Sequence, residues 1–555
     1  MPRSGLVRCL LLSCLVMSGV LPFGAEAQST DTSIVVRTEH NEIHFSARGG
    51  VPVHWDLAAS GLGESDGVTE SAKGDRVSLI DQRAASRASG RPFEVLLSPS
   101  PMPEVNDTPY TVRRESDDRF EQITFTSETS SNGLSIVKTY RVPRQGFETT
   151  IEILFVNSGE AEIVFDETGR GPGLALGPGL GRAPADAGLL SYAESVFETS
   201  DEVTRLYPDD MESITTTGGP IQWAGIHSQY FLMALIPSDA SAIAELRTYF
   251  DGVGLAEGDT LRFCPRAEIY AQPMRVGPGE SGRLTYTLFA GPKDRAILRA
   301  SDSRLEDVLY SNLWGWMAGI CTFFEWFLIL VHGVIPNWGL AIIALALLLR
   351  VILYPLSKYG HRHQRESQEK MTLVKPLVAE LTEKYKDNAI KRHEETIKLH
   401  KQYGLNPLSQ LKGSIPLLVQ LPILVALYHV LGNSFELRGV NFLWIDDLSL
   451  TDRLFPLGIS LPWLGGYFNL LPVIMFAAQV AMVRHMTAGA QAKSGEKAAG
   501  GTSQYMLPAV MLLLFYPFPA GCMLYWTAAN ISQLLEQRFT GSGSNETKAT
   551  AMAST

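Results

Sequence analysis

The chain has 555 residues, a formal net charge of −11 and 45% hydrophobic residues, a length that allows two to four domains. The negative charge is concentrated in residues 28–300, which contain 24 Lys and Arg against 39 Asp and Glu. Such an acidic region argues against nucleic-acid binding, because a phosphate backbone requires a basic surface. Cys264 is the single cysteine of this region, so the region cannot form an internal disulfide.

The first 27 residues have the pattern of a targeting segment. Two arginines precede an apolar stretch from Cys9 to Val20, and residues 25–27 (Ala-Glu-Ala) provide a small-x-small cleavage site. The stretch is short for a membrane span and suits a signal peptide. The alternative is an uncleaved first transmembrane span that continues to Phe23. In both cases the N-terminus starts inside, and the acidic region is exported.

Residues 28–310 are predicted to form an all-β domain. Short alternating runs such as residues 34–36, 120–125 and 150–155 are separated by Gly, Pro, Asn and Asp. Many strands without helical periodicity predict a large β-sandwich. The Gly- and Pro-rich stretch 169–184 is expected to be a loop.

Apolar segments of membrane-spanning length begin after residue 310. Residues 311–335 are rich in tryptophan, which favours an interfacial amphipathic helix, although their length also permits a span. The spans that follow are predicted at residues 338–356, 415–431, 466–483, 504–516 and 520–535. Residues 358–412 contain 12 Lys and Arg and are therefore predicted to be cytoplasmic. A single crossing connects this loop with the exported domain, so residues 311–335 are expected to lie along the outer surface.

The segment 358–403 has a helical pattern, with apolar residues at three- and four-residue spacing from Met371 to Tyr385. Residues 386–388 (Lys-Asp-Asn) indicate a turn, and Gly404 ends a second helix. The pattern predicts an antiparallel helical hairpin. This hairpin is either a solvated loop or a basic docking surface, and composition favours neither. Residues 539–555 are predicted to be a cytoplasmic tail.

Arg350 is a charge inside the apolar span 338–356. It lies about 18 Å into a hydrocarbon layer of about 30 Å, where an arginine costs about 2.5–3.5 kcal/mol on insertion scales. One interpretation is a side chain that snorkels to the interface. The other is an arginine that faces a hydrated cavity. Polar residues within other predicted spans favour the cavity, since such residues normally face the helix bundle; they are Gln420, Gln479, Asn530 and Gln533.

Motifs for catalysis are weak in this sequence. His361 and His363 do not share a helical face, which argues against a metal site. The sequence contains no Walker-type phosphate loop, so an ATP-driven pump is disfavoured. Asp446 and Asp447 are more typical of a cap or turn than of a catalytic dyad. We therefore expect neither enzyme activity nor a cofactor.

Several motifs occur in one order over residues 313–538. They are Asn-Trp-Gly at 337–339, Arg-Val-Ile-Leu-Tyr-Pro-Leu at 350–356, Asn-Pro-Leu at 406–408, the segment 415–423, Phe-Leu-Trp-Ile at 442–445, Phe-Pro-Ala-Gly at 518–521, and Leu-Tyr-Trp at 524–526 with Asn530. With these motifs the membrane half resembles the YidC-type insertase family. Residues 223–225, 229–231 and 288–292 resemble the large periplasmic domain of Gram-negative members, which is similar to the supersandwiches of sugar enzymes.

The resemblance implies a multi-domain fold in the inner membrane. A periplasmic all-β supersandwich at 28–310 would precede a polytopic α-helical bundle, a five-span core at 336–538 that includes the cytoplasmic hairpin 358–403. The implied function is that of a membrane protein insertase and chaperone, acting alone or with the Sec translocon through a hydrophilic groove open to cytoplasm and lipid. The residues expected to line the groove are Arg350, Gln420, Tyr525, Trp526, Asn530 and Gln533.

The implied partners are nascent membrane proteins, membrane lipids, the Sec translocon, and a ribosome or signal-recognition machinery at the hairpin, with no direct DNA binding. Three features depart from the family pattern, the first of which is an N-terminus that looks more cleavable than the usual retained first span. Ala346 stands where many relatives have a threonine one turn before the arginine, and the tail after Phe539 is short and not basic. The alternatives are a small-solute transporter, which should show paired symmetric half-spans, and a surface sugar-binding protein, which rests on the sandwich alone.

Overall fold

The computed structural model describes residues 34–57, 77–80, 91–97, 103–177, 193–200, 202–207, 214–253, 262–386, 388–404, 407–461, 464–494 and 505–553. The predicted targeting segment, residues 1–27, lies outside these ranges. A strand-rich part extends to Pro292, and a helix-rich part follows from Arg295.

The described ranges contain strands β1–β22, numbered in chain order. Strands β1–β10 are Ile34–Arg37, Asn41–Ser46, Val51–Leu57, Val77–Ile80, Val95–Leu96, Thr111–Ser116, Phe120–Thr126, Leu134–Pro143, Glu148–Asn157 and Ile163–Phe165. Strands β11–β20 are Gly173–Leu176, Glu194–Glu198, Val203–Leu206, Thr215–Gly218, Trp223–His227, Phe231–Pro237, Ile243–Val253, Arg262–Ala271, Met274–Val276 and Ser281–Pro292. Strands β21 (Phe455–Leu461) and β22 (Gly465–Phe468) lie in the helix-rich part.

The strands of the first part form three larger antiparallel sheets. A nine-stranded sheet has the order β13-β12-β15-β16-β20-β9-β8-β7-β6, a five-stranded sheet the order β14-β17-β18-β11-β5, and a four-stranded sheet the order β1-β2-β3-β4. One apolar core joins them, since it contains Trp55 of β3, Trp223 of β15 and Ile269 of β18. These packed sheets confirm the predicted sandwich, and the strands predicted at 34–36, 120–125 and 150–155 are present as β1, β7 and β9.

The predicted loop at 169–184 is wrong for residues 173–176, which form strand β11 between β18 and β5. All four residues of this strand are buried. Gly173 allows it to pack there, because a Cβ at this position would lie 2.6 Å from the carbonyl oxygen of Ile269. The glycine content that suggested a loop therefore serves the close approach of two strands. Residues 178–184 lie outside the described ranges.

The second part is helical. Its helices are α1 (Arg295–Ser301), α2 (Gly315–Val334), α3 (Trp338–Lys384), α4 (Ala389–Gln402), α5 (Pro407–Asn433), α6 (Leu470–Ser494), α7 (Met506–Phe515) and α8 (Ala520–Ala553), with a 3-10 helix at Ser303–Leu309. Residues 315–334 and 338–360 are long and apolar enough to cross a membrane, and shorter apolar helical stretches cover 418–433, 470–484 and 506–515.

Helix α3 continues without a break from the predicted span 338–356 into the predicted hairpin, although it contains Pro355 and Pro376. It ends at Lys384, and α4 begins after Asn388, whose side chain accepts a hydrogen bond from the amide of Lys391. Two helices separated by a short turn therefore occupy residues 358–403. Their position on the cytoplasmic side stays a prediction.

Residues 465–468 form β22, so the helix at the span predicted to start at residue 466 begins only after this strand. Helix α6 starts at Leu470, and its first amides are bound by a carboxylate from the preceding loop. Asp452 accepts hydrogen bonds from Leu470 at 2.9 Å and from Leu471 at 2.5 Å. Such a cap satisfies amides that have no partner within the helix and therefore determines where it begins.

The strand-rich part contacts the C-terminal end of α5 and the loop after it through the turn between β15 and β16. Tyr230 donates a hydrogen bond to the Ser449 hydroxyl at 2.8 Å, and Gln229 donates one to the carbonyl oxygen of Gly432. On the other side of this junction, Arg295 binds Glu325 of α2 at 2.9 Å. These polar contacts join the sandwich to α2 and α5.

Candidate functional site

Arg350 lies on the buried side of α3, with 18% of its side chain exposed. Its Nη2 donates a hydrogen bond to Oε2 of Glu536 on α8 at 2.8 Å. Its Nε is buried and has no hydrogen-bond partner among the residues that the structure describes. A guanidinium offers five N–H donors in a planar fork, so the Glu536 pair leaves donor capacity at this site.

Tyr525 and Glu536 share one face of α8, because eleven residues correspond to about three helical turns. The Tyr525 side chain is 2% exposed and is within the electrostatic influence of Arg350. The Gln420 side chain of α5 lies close enough to the Tyr525 hydroxyl to interact with it. The structure therefore brings Arg350, Gln420 and Tyr525 together, although they belong to three different helices.

The other predicted groove residues have less polar environments. The Trp526 ring packs on Phe515 of α7, with 5.1 Å between ring centroids. Asn530 donates its side-chain N–H to the carbonyl oxygen of Trp526 at 2.9 Å, so this bond stays within α8. Gln533 is partly buried on the same helix. Gln479 is partly buried on α6, and within the described ranges it forms no hydrogen bond with Arg350.

Glu536 is the site residue that the sequence analysis missed. It follows Gln533 by one helical turn and shares the face of Tyr525. An acidic residue on that face, close to the end of the last predicted span, was the available signal. The pairing itself joins residues 186 positions apart, and only the packing of α3 against α8 brings them together.

The residues around Arg350 on α3 separate into two faces. Leu345, Ala346 and Leu349 are buried in the helical core, whereas Val351 and Ile352 are 72% and 52% exposed. Ala346, at the position where a hydroxyl was expected from the resemblance, therefore packs among apolar side chains. The exposed residues form an apolar outer face, as expected for a helix in contact with lipid.

The sequence offered two weaker candidate sites, a carboxylate dyad at Asp446 and Asp447 and a metal site. Asp447 accepts hydrogen bonds from the Ser449 amide at 2.8 Å and from the Ser449 hydroxyl at 2.6 Å, which is a local turn. Across the described ranges, no group of three or more His, Cys, Asp or Glu side chains is arranged to hold a metal ion.

Two family models match consecutive parts of the chain. The model described as YidC periplasmic domain matches residues 67–327, and the one described as 60Kd inner membrane protein matches residues 330–547. The boundary between the two matches falls in α2, close to the boundary between the strand-rich and helix-rich parts. Both halves of the molecule thus correspond to regions of the same kind of protein.

Curated relatives of the chain are described as membrane protein insertase YidC. A membrane protein insertase YidC of Pelodictyon phaeoclathratiforme is 33% identical over 325 residues, which cover 58% of this chain and 52% of the relative. The membrane protein insertase YidC of Pelobacter propionicus is 30% identical over 361 residues, 63% of this chain and 61% of the relative. The matches span about half to three fifths of these relatives' length.

Solved structures also align with the chain. A crystal structure of an active YidC insertase aligns over 92% of both chains, with 18% identity and a TM-score of 0.35. A galactose mutarotase-like protein from Lactobacillus casei aligns over 46% of this chain with 13% identity and a TM-score of 0.32. Since both scores are below 0.5, the assignment rests on the sequence matches. On the two family models and the curated relatives, this chain belongs to the YidC family of inner membrane proteins.

Proposed function

We propose that the chain is a membrane protein insertase and chaperone that integrates inner-membrane proteins through a groove containing Arg350. The observation that carries this proposal is the partly engaged guanidinium. Arg350 Nη2 donates a hydrogen bond to Glu536, while the buried Nε–H of Arg350 has no acceptor among the described residues. A second carboxylate, supplied by the acidic outer tail of a client, would complete the bonding of this side chain. Arg350 would thereby receive a tail on its way across the membrane.

Apolar residues beside this polar site would accompany the hydrophobic part of a client. On α5, Leu418 and Leu421 are 55% and 51% exposed, and on α8 Ile531 and Leu535 are 42% and 49% exposed. Leu418 and Leu421 flank Gln420 along the chain, and Ile531 and Leu535 flank Gln533. A client segment that leaves the groove would meet these side chains before it meets lipid, so its apolar surface would not cross an aqueous space.

The proposal includes a multi-pass arrangement with five spans in residues 336–538, an interfacial helix at 311–335 and the domain 28–310 in the periplasm. Helix α4 is basic and exposed, with Lys391 and Lys398 on its surface. In this proposal the 358–403 hairpin contacts a ribosome or signal-recognition machinery. The five-span core cooperates with the Sec translocon. No nucleotide is required, because the polar groove lowers the barrier for a short tail.

Reconstitution tests this function directly. The full chain is placed in proteoliposomes, and a single-span client with a short acidic outer tail is synthesised in their presence. We expect protease-protected insertion with the chain alone and more with Sec translocon added. Liposomes that insert no more client with the chain than without it, in either condition, would contradict an insertase function.

A further inference from the structure

A cavity with charged walls lies at the junction between the sandwich and the helices. Its volume is about 100 Å³. Its walls come from both parts of the molecule. The sandwich side contributes Glu194, Arg205, His227 and Lys293, and the helical side contributes residues of α2, α3 and α5 together with Glu436.

The sandwich wall carries the basic end of the cavity. Lys293 donates to His227 Nδ1 at 3.3 Å, His227 Nε2 lies 3.1 Å from a Glu194 oxygen, and Arg205 lies 3.8 Å from the same carboxylate. Burial, and then the charge of Lys293, lowers the pKa of His227 to about 4, so the imidazole is neutral at pH 7. Arg205 and the protonated form of Lys293 share the Glu194 carboxylate, so this wall has an excess positive charge whenever Lys293 is protonated.

The opposite wall carries the acidic end. Glu436 accepts a hydrogen bond from the Ser434 hydroxyl at 2.6 Å, and no salt bridge to it occurs within the described part of the chain. Its electrostatic neighbours are the carboxylates of Asp294 and Glu325. Glu325 itself is occupied by Arg295 at 2.9 Å and by the Tyr310 hydroxyl at 3.0 Å. Glu436 is thus a partly buried carboxylate without a salt-bridge partner in the described part of the chain, and a ligand cation would stabilise its charged form.

Burial shifts the ionisation of both ends toward their neutral forms, so a ligand of opposite charge would restore the charged form at each end. Burial raises the pKa of Glu436 to about 7, to which Asp294 and Glu325 contribute, while the Ser434 hydrogen bond opposes the rise. Burial, and then the charge of Arg205, lowers the pKa of Lys293 to about 7, while Glu194 opposes the fall. Each end therefore gains stability from a ligand group of opposite charge.

The third wall is apolar and belongs to α2 and α3. Leu328, Ile329 and Trp338 line the cavity, and Ile329 is 48% exposed. On the same helix as Ile329, Trp326 and Leu330 are 56% and 50% exposed. A helix with exposed tryptophan and aliphatic residues fits the membrane interface. Acyl chains would lie against this face of α2 while a headgroup enters the cavity.

We propose that this cavity binds the headgroup of a phosphoethanolamine lipid, with its phosphate against Lys293 and its ammonium against Glu436. The headgroup has one charge of each sign, as the cavity walls require. An anionic glycerol headgroup would leave Glu436 without a cation. A choline headgroup has no N–H to donate to the carboxylate.

Lipid retention by the purified full chain tests this assignment. The chain is exchanged in mild detergent with equal amounts of phosphatidylethanolamine, phosphatidylglycerol and phosphatidylcholine, and retained lipid is quantified after washing. We expect phosphatidylethanolamine to be enriched roughly tenfold over the other two, as for one additional charge-assisted contact. Soluble O-phosphoethanolamine should displace it, which would locate recognition in the headgroup.

Variants separate the two ends of the cavity. Glu436→Gln should remove the preference for phosphatidylethanolamine over phosphatidylcholine, whereas Lys293→Met should lower retention of both lipids. Lys293→Arg should keep retention, which distinguishes loss of charge from loss of folding, and Glu160→Gln, at an exposed position of the sandwich, should change nothing. Equal retention of the three lipids by the unmodified chain, or unchanged selectivity in Glu436→Gln, would overturn the proposal.

Discussion

Arg350 and Glu536 form an ion pair 2.8 Å long between α3 and α8, with 18% and 32% of their side chains exposed. The pair places a carboxylate of the chain itself on the group that we propose to receive a client carboxylate. Its partial exposure makes it easier to exchange than a fully buried pair, because solvent screens both charges. The resting groove therefore contains an internal competitor for the client tail.

Removal of this competitor should favour clients with acidic tails. Glu536→Gln keeps the size of the side chain and releases the Arg350 fork. We expect roughly threefold more insertion of an acidic-tailed client, which corresponds to the free energy of an exposed ion pair. The gain should be smaller at high salt, because salt screens the charges. Insertion into proteoliposomes measures both.

The matched control is Glu380→Gln, an exposed carboxylate on α3, which should behave as the unmodified chain. If Glu536→Gln instead loses as much insertion as removal of Arg350, Glu536 orients the arginine and does not compete with the client.

The start of α3 depends on a glycine. A Cβ on Gly339 would lie 2.1 Å from a ring carbon of Phe442, whereas a Cβ on Gly319 of α2 would meet nothing within 4 Å. Gly339→Ala should therefore lower the free energy of unfolding by about 1–3 kcal/mol, as overpacking does. Gly319→Ala should be neutral or slightly stabilising. Thermal unfolding of both variants in detergent measures this difference, and equal transitions would show that Phe442 moves aside without cost.

The raised pKa of Glu436 predicts a pH dependence of stability. Since its pKa is about 7 in the folded chain against a usual value of 4.5, the folded state binds more protons between these values. The stabilising contribution of the protonated carboxyl is present below about pH 4.5 and is lost as the pH rises through about 7.

Glu436→Gln removes this titration. The unmodified chain should therefore lose stability relative to Glu436→Gln as the pH rises from about 4.5 to about 7. Thermal unfolding of both proteins across this range gives the difference, and Glu160→Gln serves as the reference carboxylate variant. A difference that is independent of pH would show that Glu436 titrates near its usual value in the folded chain.

Hydrophobic periodicity in the sequence predicts most of the secondary structure. The alternation in residues 150–155 is present in β9, whose residues alternate between buried and partly buried along the strand. Composition failed where glycine serves packing, as in β11, where Gly173 admits the neighbouring backbone of Ile269. It also failed at the start of α6, because the Asp452 carboxylate that caps this helix comes from a loop 18 residues earlier.

The candidate site was predictable to the extent that each residue is unusual within its own helix. Arg350 and Gln420 interrupt apolar stretches, which is visible in the sequence. The partner of Arg350 could not be identified from the sequence, because the pairing depends on how α3 and α8 pack. The junction cavity could not be predicted from the sequence either, since Lys293 and Glu436 line the same cavity only when the sandwich contacts the helices.

The most direct test of the proposed groove is insertion by Arg350 variants, with two clients that differ only in the charge of a short outer tail. Arg350→Ala should reduce insertion of the acidic-tailed client roughly tenfold, the size of a charge-assisted contact, and should affect the neutral-tailed client little. Arg350→Lys should be milder because it keeps the charge. Arg113→Ala, whose side chain is 80% exposed, is the control. Equal insertion of the acidic-tailed client by Arg350→Ala and the unmodified chain would contradict the account.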